Sequence, residues 1–536
     1  MKLPIVETLA ARALDVCLAP TNNISLSAST YYEAYRPQIH YSPSSGFMND
    51  PNGLVYNPAS ELWHLSYQYN PYAPKAANQH WGHAVSSDLI HWQNAQPAIV
   101  PPNENLTVLS GSSVIDENNT SGLFNDSTAP SDRFVAFYTE LDQRDPSTLY
   151  QRQKGAYSVD GGYSYTIIDE PVIDINQTEF RDPKVFRHND EWVMSVVLAS
   201  QYKVVWYTST NLLEWTYRNS FTGGYPAYQY ECPDLLQVPV VEDGQQVDTK
   251  WLLILSIQPG APKGGSTAQY FIGDLDDDYN FTPDDSLTRF LSFGLDDYAT
   301  VSFGNAPQDH APTIIGWAQN WAYVADTPTG DYRSSMTIPR ELSIVRTGPT
   351  DQYEGYYLKQ HPVDLSPIAG EVLENSTEVT KEGSIALNGD AFDLQFTFNG
   401  SAKGLYDSNE KPFAEVQILN EDESSVVKIH IDYSIHTIYV NRGNSGWEVD
   451  TFVNYAGDTF KPPSDGIVEF RALLDRSLLE IFAQDGLYYA ANVFYMQNAN
   501  GEEDTPAKIK YTTSESVNAT QVAVQALNSV WNVPEC

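Results

Sequence analysis

The chain has 536 residues, 69 Asp or Glu against 30 Lys or Arg, and a formal net charge of −39. That length exceeds one ordinary domain, and that charge excludes nucleic acid and anionic membrane as partners, because both would be repelled. A 12 % aromatic share, with 35 Tyr and 11 Trp, is too rich for a disordered acidic chain, and no apolar run reaches the ~18 residues of a membrane-spanning helix.

In chain order, the first segment is unpromising as structure. Met1 to Pro20 carries Lys2, but Glu7, Arg12 and Asp15 interrupt any apolar core, whereas a signal peptide needs roughly 7–15 uninterrupted apolar residues. Residues 1–34 therefore read as a poorly ordered leader. From residue 35 to 360 the texture is all-β. Runs such as Phe134-Val-Ala-Phe-Tyr138, Trp192-Val-Met-Ser-Val-Val-Leu198 and Trp251-Leu-Leu-Ile-Leu-Ser-Ile257 are strand-length and β-branched or aromatic. Turn residues separate them at roughly 8–12-residue spacing, and the 33 Pro and 32 Gly suit many tight turns.

Two repeats run through this part. Ser87-Asp-Leu-Ile-His-Trp92 is echoed by Thr210-Asn-Leu-Leu-Glu-Trp215. A second theme joins an acid, a proline, an apolar pair and a Trp-led strand: Asp50-Pro51 with Trp63, Asp182-Pro183 with Trp192, and Glu231-Cys-Pro233 with Trp251. Repeated small sheets stack radially as propeller blades. If the three acids open equivalent strands, all three point into one axial funnel; the competing reading takes each Asp-Pro as a turn. Residues 361–370 read as a linker. Beyond it, Ala391-Phe-Asp-Leu-Gln-Phe-Thr-Phe398, Val426-Val-Lys-Ile-His-Ile-Asp432 and Ser477-Leu-Leu-Glu-Ile-Phe482 alternate with period two, which predicts a β-sandwich over 371–536. No acidic theme recurs there.

Three cysteines, Cys17, Cys232 and Cys536, supply neither a disulfide framework nor a Cys-based zinc site. Asn-x-Ser/Thr sequons begin at Asn23, Asn105, Asn118, Asn119, Asn125, Asn176, Asn280, Asn375, Asn399 and Asn518. So many point to a secreted, N-glycosylated protein, although no clear signal peptide precedes them.

Clustered carboxylates with Trp and Tyr around them describe a glycoside hydrolase. Cleaving a glycosidic bond needs one protonated carboxylic acid and one carboxylate acting on the anomeric carbon. Crowding keeps one acid protonated, and aromatic faces hold the apolar faces of sugar rings. The net negative field costs nothing with a neutral sugar.

These residues also resemble a family. Phe47-Met-Asn-Asp-Pro-Asn-Gly53 resembles the first signature of the invertase family, glycoside hydrolase family 32. The resemblance continues in order through Gln68-Tyr-Asn-Pro71, Trp81-Gly-His83, Ser110-Gly-Ser112, Arg181-Asp-Pro183 and Glu231-Cys-Pro233. It then runs through Gly316-Trp-Ala-Gln-Asn-Trp321, Tyr332-Arg-Ser-Ser-Met336 and Asp475-Arg-Ser477 with Glu480-Ile-Phe482. It implies an all-β fold, a five-bladed β-propeller followed by a C-terminal β-sandwich, and a yeast-type β-fructofuranosidase (invertase) activity. By it, Asp50 is the nucleophile, Glu231 the acid and then base, and Asp182, with Arg181 beside it, stabilises the transition state. Asn49, Asn52, Gln68, Trp81, Ser110 and Trp321 match substrate-binding positions, and neither metal nor organic cofactor is implied.

Trp81 and Trp321 also read as propeller core, and Ser110 as a turn residue; His83 and His91 read as structural. Two positions depart from the family pattern: Phe47 stands where Trp is common, and Leu109 where an aromatic is often found. Both bear on substrate preference, not on the acids. The expected ligands are small neutral sugars, sucrose and fructo-oligosaccharides. The alternatives are an exo-fructanase (inulinase or levanase) and a dedicated fructosyltransferase. From other classes come a catalytically silent sugar-binding propeller and a propeller hydrolase of arabinose polymers, which would lack the Asn49-to-Gly53 signature. An exposed sheet face on the sandwich makes a homodimer a candidate.

Overall fold

A computed structural model describes residues 31–144, 149–348, 354–377, 381–400, 411–461 and 464–532, and among them nearly every element is a strand. Residues 1–30 of the expected leader, with Cys17, Asn23 and also Cys536, lie outside the described residues. Tyr31, the first described residue, stacks on Trp531 with ring centroids 4.1 Å apart.

The N-terminal part is a propeller-type domain of antiparallel meanders. The first comprises Gly46–Asn57, Leu62–Asn70, His80–Ser86 and Trp92–Ile99, with Tyr332–Arg333 added in parallel to its first strand. The second comprises Leu106–Ile115, Phe134–Asp142, Gln151–Ser158 and Thr166–Gln177, and the third Phe180–His188, Glu191–Leu198, Lys203–Ser209 and Thr216–Phe221. A fourth meander runs through Gln229–Glu242, Gln245–Gln258, Thr267–Leu275 and Phe281–Pro283. A single parallel pair, Val240 with Ile344, joins it to a last one of Tyr298–Ser302, Thr313–Trp317, Arg340–Thr347 and Gly355–Pro362. The leading strands, which begin at Gly46, Leu106, Phe180, Gln229 and Tyr298, pack beside one another in a closed ring. Apolar clusters fill the gaps between neighbouring sheets.

The echoed hexapeptides fold alike. Asp88 Oδ1 accepts from the N–H groups of Ile90 and His91, Leu89 turns to φ 66°, and Trp92 Nε1 donates to Leu89 O. Asn211 Oδ1 likewise accepts from Leu213 and Glu214, Leu212 sits at φ 64°, and Trp215 Nε1 donates to Leu212 O. Asp and Asn serve equally because each offers an oxygen to the turn and the Trp behind it closes the corner.

The C-terminal part is a sandwich of two six-stranded sheets. Strands Phe413–Leu419, Val426–Asp432 and Thr437–Asn444 alternate between buried and half-buried residues, with Val416, Ile429 and Val440 turned into the core. The two domains share one apolar cluster, in which Ile39, Met48 and Trp317 meet Leu473, Phe482 and Leu527. Buried charges cross the same boundary. His40 lies between Asp475 (Nδ1 to Oδ2, 2.7 Å) and Glu480 (Nε2 to Oε2, 3.2 Å). Burial works against its charge, but hydrogen bonds to the two carboxylates outweigh it and raise it to about 9. Arg442 Nη1 reaches Asp296 Oδ2 at 2.6 Å, and Arg340, paired with Asp297, stacks on Tyr489 at 3.9 Å.

Candidate active site

The site is built by one irregularity used repeatedly. Each leading strand slips register against its neighbour at the same height: between Met48 and Pro51, Val108 and Gly111, Arg181 and Lys184, Glu231 and Asp234, and Tyr298 and Val301. A bulge leaves a residue unpaired and re-aims its side chain. It is also where an inner strand tolerates proline, which has no N–H for the ladder, and Pro51, Pro183 and Pro233 all sit there. The backbone is held in the left-handed region at Asp182 (φ 64°), Cys232 (φ 47°) and Ala299 (φ 52°), costly for non-glycine residues and typical of functional sites. The acids therefore do not open turns. They lie inside strands, at bulges.

Asp50, Asp182 and Glu231 are brought together, with Cys232 between them. Asp50 Oδ2 accepts from Ser110 Oγ (2.6 Å) and Oδ1 from Asn49 Nδ2 (3.0 Å). The Cys232 thiol lies 3.6 Å from Asp50 Oδ2 and 3.7 Å from Asp182 Oδ2, and its backbone N–H donates to Asp182 Oδ2 at 2.9 Å. Glu231 accepts four donors: Arg181 Nε (3.1 Å) and Gln229 Nε2 (3.1 Å) on Oε1, Gln258 Nε2 (2.9 Å) and the Tyr298 hydroxyl on Oε2. Arg181 is fixed by Gln151, Gln229 and Glu179.

Three carboxylates so close cannot all ionise cheaply. Burial, then repulsion from Glu231, raises Asp50, against the donations of Ser110, Asn49 and Cys232. Burial and Glu231 push Asp182 up to about 7, although Arg181 pulls the other way. Burial first, then the neighbouring carboxylates, hold the Cys232 thiol and the Tyr298 phenol well above their usual values, so both remain donors. Asp182 therefore holds a proton through acidic pH and gives it up near neutrality. Catalysis that needs Asp182 as a carboxylate should gain on passing that point. The kcat/KM profile is expected to have a one-proton acid limb near pH 7, displaced in Asp182→Asn. A profile flat from about pH 5 to 9 would exclude a titrating Asp182 from the catalytic cycle.

Some of the expected binding residues carry unmet hydrogen-bonding capacity. Asn52 Oδ1 accepts from Gly111 N–H at 3.1 Å, while its Nδ2 has no partner among the described residues. Both amide atoms of buried Gln68 and Oε1 of Gln79 are likewise unpartnered. Buried polar groups are normally satisfied, so these atoms are suited to the hydroxyls of a ligand. Trp81 is fully enclosed (0 % exposed) and donates Nε1 to Leu109 O, which makes it support behind the pocket. Trp321 is half-buried and packs on Phe47 (6.0 Å) and Trp317 (4.9 Å). His83 is buried against His64, and His91 pairs with Asp88 at 2.7 Å.

A model of the "Glycosyl hydrolases family 32 N-terminal domain" matches residues 40–362, and one of the "Glycosyl hydrolases family 32 C terminal" part matches 367–526. The chain belongs to glycosyl hydrolase family 32. Among its relatives, an invertase of Schizosaccharomyces pombe is 36 % identical over 99 % of this chain and 91 % of its own length. An extracellular exo-inulinase of Meyerozyma guilliermondii is 35 % identical over 88 % and 92 %. The solved β-fructofuranosidase of Schwanniomyces occidentalis, complexed with fructosyl-erythritol, superposes with a TM-score of 0.85 at 34 % identity, covering 95 % of this chain and 100 % of that one.

Within this family 32 site, sequence reasoning missed Gln79, Gln229, Gln258 and Tyr298. Gln79 stands just outside the Trp81-Gly-His83 motif, two residues before it, so only its proximity could have marked it. Gln258 and Tyr298 reach Glu231 only through sheet pairing and ring closure, and no local pattern marks them.

Proposed function

We infer that the protein is a retaining β-fructofuranosidase that hydrolyses sucrose and related terminal β-fructosides. The observation that carries this reading is the trio itself: one carboxylate under three donors beside a second held by four, in a family 32 chain whose relatives at about one-third identity include invertases. Asp50 attacks the anomeric carbon of the fructosyl unit, and the bond to the departing oxygen breaks as Glu231 gives that oxygen its proton. Glu231, now a carboxylate, takes a proton from water. The resulting hydroxide displaces Asp50 and frees fructose. Donations from Ser110, Asn49 and Cys232 favour the ionised nucleophile. Asp182, which accepts from Cys232 N–H and lies in the field of the Arg181 charge, faces the positive charge that develops at the fructosyl ring. Asn49, Asn52, Gln68, Ser110 and Arg181 hold its hydroxyls, with Trp81 and Trp321 supporting the walls.

The scaffold reads as five blades, one per leading strand of the ring, over residues 35–360, then a linker and the sandwich over 371–536. A sugar hydroxyl replacing water at the second step gives fructosyl transfer as a side reaction. The sequons and the extracellular relative support a secreted glycoprotein. The exo-inulinase relative favours a second reading, exo-hydrolysis of fructans. One experiment separates them: initial rates on sucrose, 1-kestose, inulin and levan, with products resolved by chromatography. Fructose and glucose from sucrose at the highest kcat/KM support invertase. A higher value on inulin or levan makes the enzyme a fructanase, and no fructose from any of the four removes the activity.

A further inference from the structure

Asp50 takes one of its donors from Asn49, whose amide orientation is set by the groups on both of its sides. An amide can flip by half a turn and present oxygen where it had nitrogen, at almost no cost in shape. Facing Asp50 with Oδ1 would set an acceptor against a carboxylate, which has no proton to give when ionised. The flip is opposed by the carboxylate in front and by Gln79 behind. Gln79 Nε2 donates to Asn49 Oδ1 at 3.1 Å, which commits the opposite end, Nδ2, to Asp50 Oδ1 at 3.0 Å. Gln79 is itself enclosed, 9 % exposed, at the end of the loop that enters His80–Ser86. That loop is pinned beside it: His80 Nδ1 donates to Asn78 O at 2.6 Å, Tyr72 lies edge-on to the His80 ring, and Asn70 Nδ2 holds Lys75 O.

We propose that Gln79 is a positioning residue that locks the amide of Asn49 so that it donates to the nucleophile. The relay stabilises the ionised form of Asp50 and fixes which lone pair is left for attack. It rests on the reading of Asp50 as nucleophile. The other groups around Asp50 make no hydrogen bond to Gln79 among the described residues: Glu231 and Asp182 as repelling carboxylates, Ser110 Oγ and the Cys232 thiol as donors, and the Tyr298 phenol and Arg181 on Glu231. The unpartnered Oε1 of Gln79 is a separate contact open to a substrate hydroxyl. That contact acts on ground-state binding and is read in KM, whereas the relay is read in kcat.

The test is a double-mutant cycle on sucrose with Gln79→Met, Asn49→Ala, the pair, and Asp50→Ala, each checked for an unchanged melting curve. Gln79→Met, of similar volume but without a donor, is expected to lower kcat about ten- to a hundredfold and to move the acid limb of the pH profile upward. In the Asn49→Ala background the same change should lower kcat less than about twofold, because its route to Asp50 is gone. Losses that multiply across the pair, a loss confined to KM, or an unmoved acid limb each overturn the proposal. If Asp50→Ala is inactive while Gln79→Met keeps the wild-type kcat, the relay alone fails. If Asp50→Ala stays active, the reading of the nucleophile fails with it.

Discussion

Asp50→Asn is expected to lower kcat on sucrose by about 10⁴-fold or more, with little change in the melting temperature. The isosteric amide still offers an oxygen to Ser110 Oγ, while its new nitrogen meets the Asn49 Nδ2 donor, so a small local adjustment is expected there. What disappears is the carboxylate proposed as nucleophile, and its neighbours are engaged elsewhere. Asp182 is tied down by Cys232 N–H, and Glu231 is enclosed by four donors. The measurement is fructose release at saturating sucrose, with circular dichroism to confirm folding. Retention of more than about a hundredth of the wild-type rate would remove Asp50 from the covalent step.

Glu231→Gln should behave differently, and the difference identifies its role. On sucrose, kcat is expected to fall about 10³-fold, since a general acid contributes roughly 10²–10⁴. An aryl β-fructofuranoside, whose leaving group departs without a proton, should form the covalent intermediate at a far less impaired rate. The intermediate then accumulates because the base for water is missing, and azide, which needs no base, should rescue turnover as fructosyl azide. An equal loss on sucrose and the aryl fructoside, with no azide effect, would place Glu231 outside proton transfer. Folding must be checked here. The new amide nitrogen is a donor set among Arg181, Gln229, Gln258 and Tyr298, which already donate, so some local repacking is expected.

The acids were legible because proline follows each of them and a Trp-led strand follows the proline, the same text three times. What that text means in space was half legible. As isolated dipeptides Asp50-Pro51 and Asp182-Pro183 read equally as turns, and only the ladder shows a register slip inside a strand. The sandwich was plain from sequence, since Val427, Ile429 and Ile431 alternate with polar residues along one strand, where they are buried and their neighbours half-buried. The two echoed hexapeptides were visible because their hydrogen bonds are local. Tyr298 was invisible for the opposite reason: it reaches Glu231 across 67 positions of chain. Trp81 shows the limit of a motif, which marks where a residue stands but not whether its face is open or, as here, enclosed.

The charges that cross the domain boundary bear on what counts as a unit of this protein. A gene shortened after residue 366 would still encode all three carboxylates of the funnel. Its product would leave His40 without Asp475 and Glu480, Asp296 without Arg442, and a stripe of the shared apolar cluster open to water. Those charges would then be solvated, so the loss falls mainly on the uncovered apolar stripe, at roughly 25 cal/mol per Å², against a typical total stability of roughly 5–15 kcal/mol. The catalytic half is therefore not a detachable module. The sandwich carries none of the three clustered carboxylates, yet an ancestor could not have shed it, nor could a designer exchange it, without rebuilding the underside of the propeller.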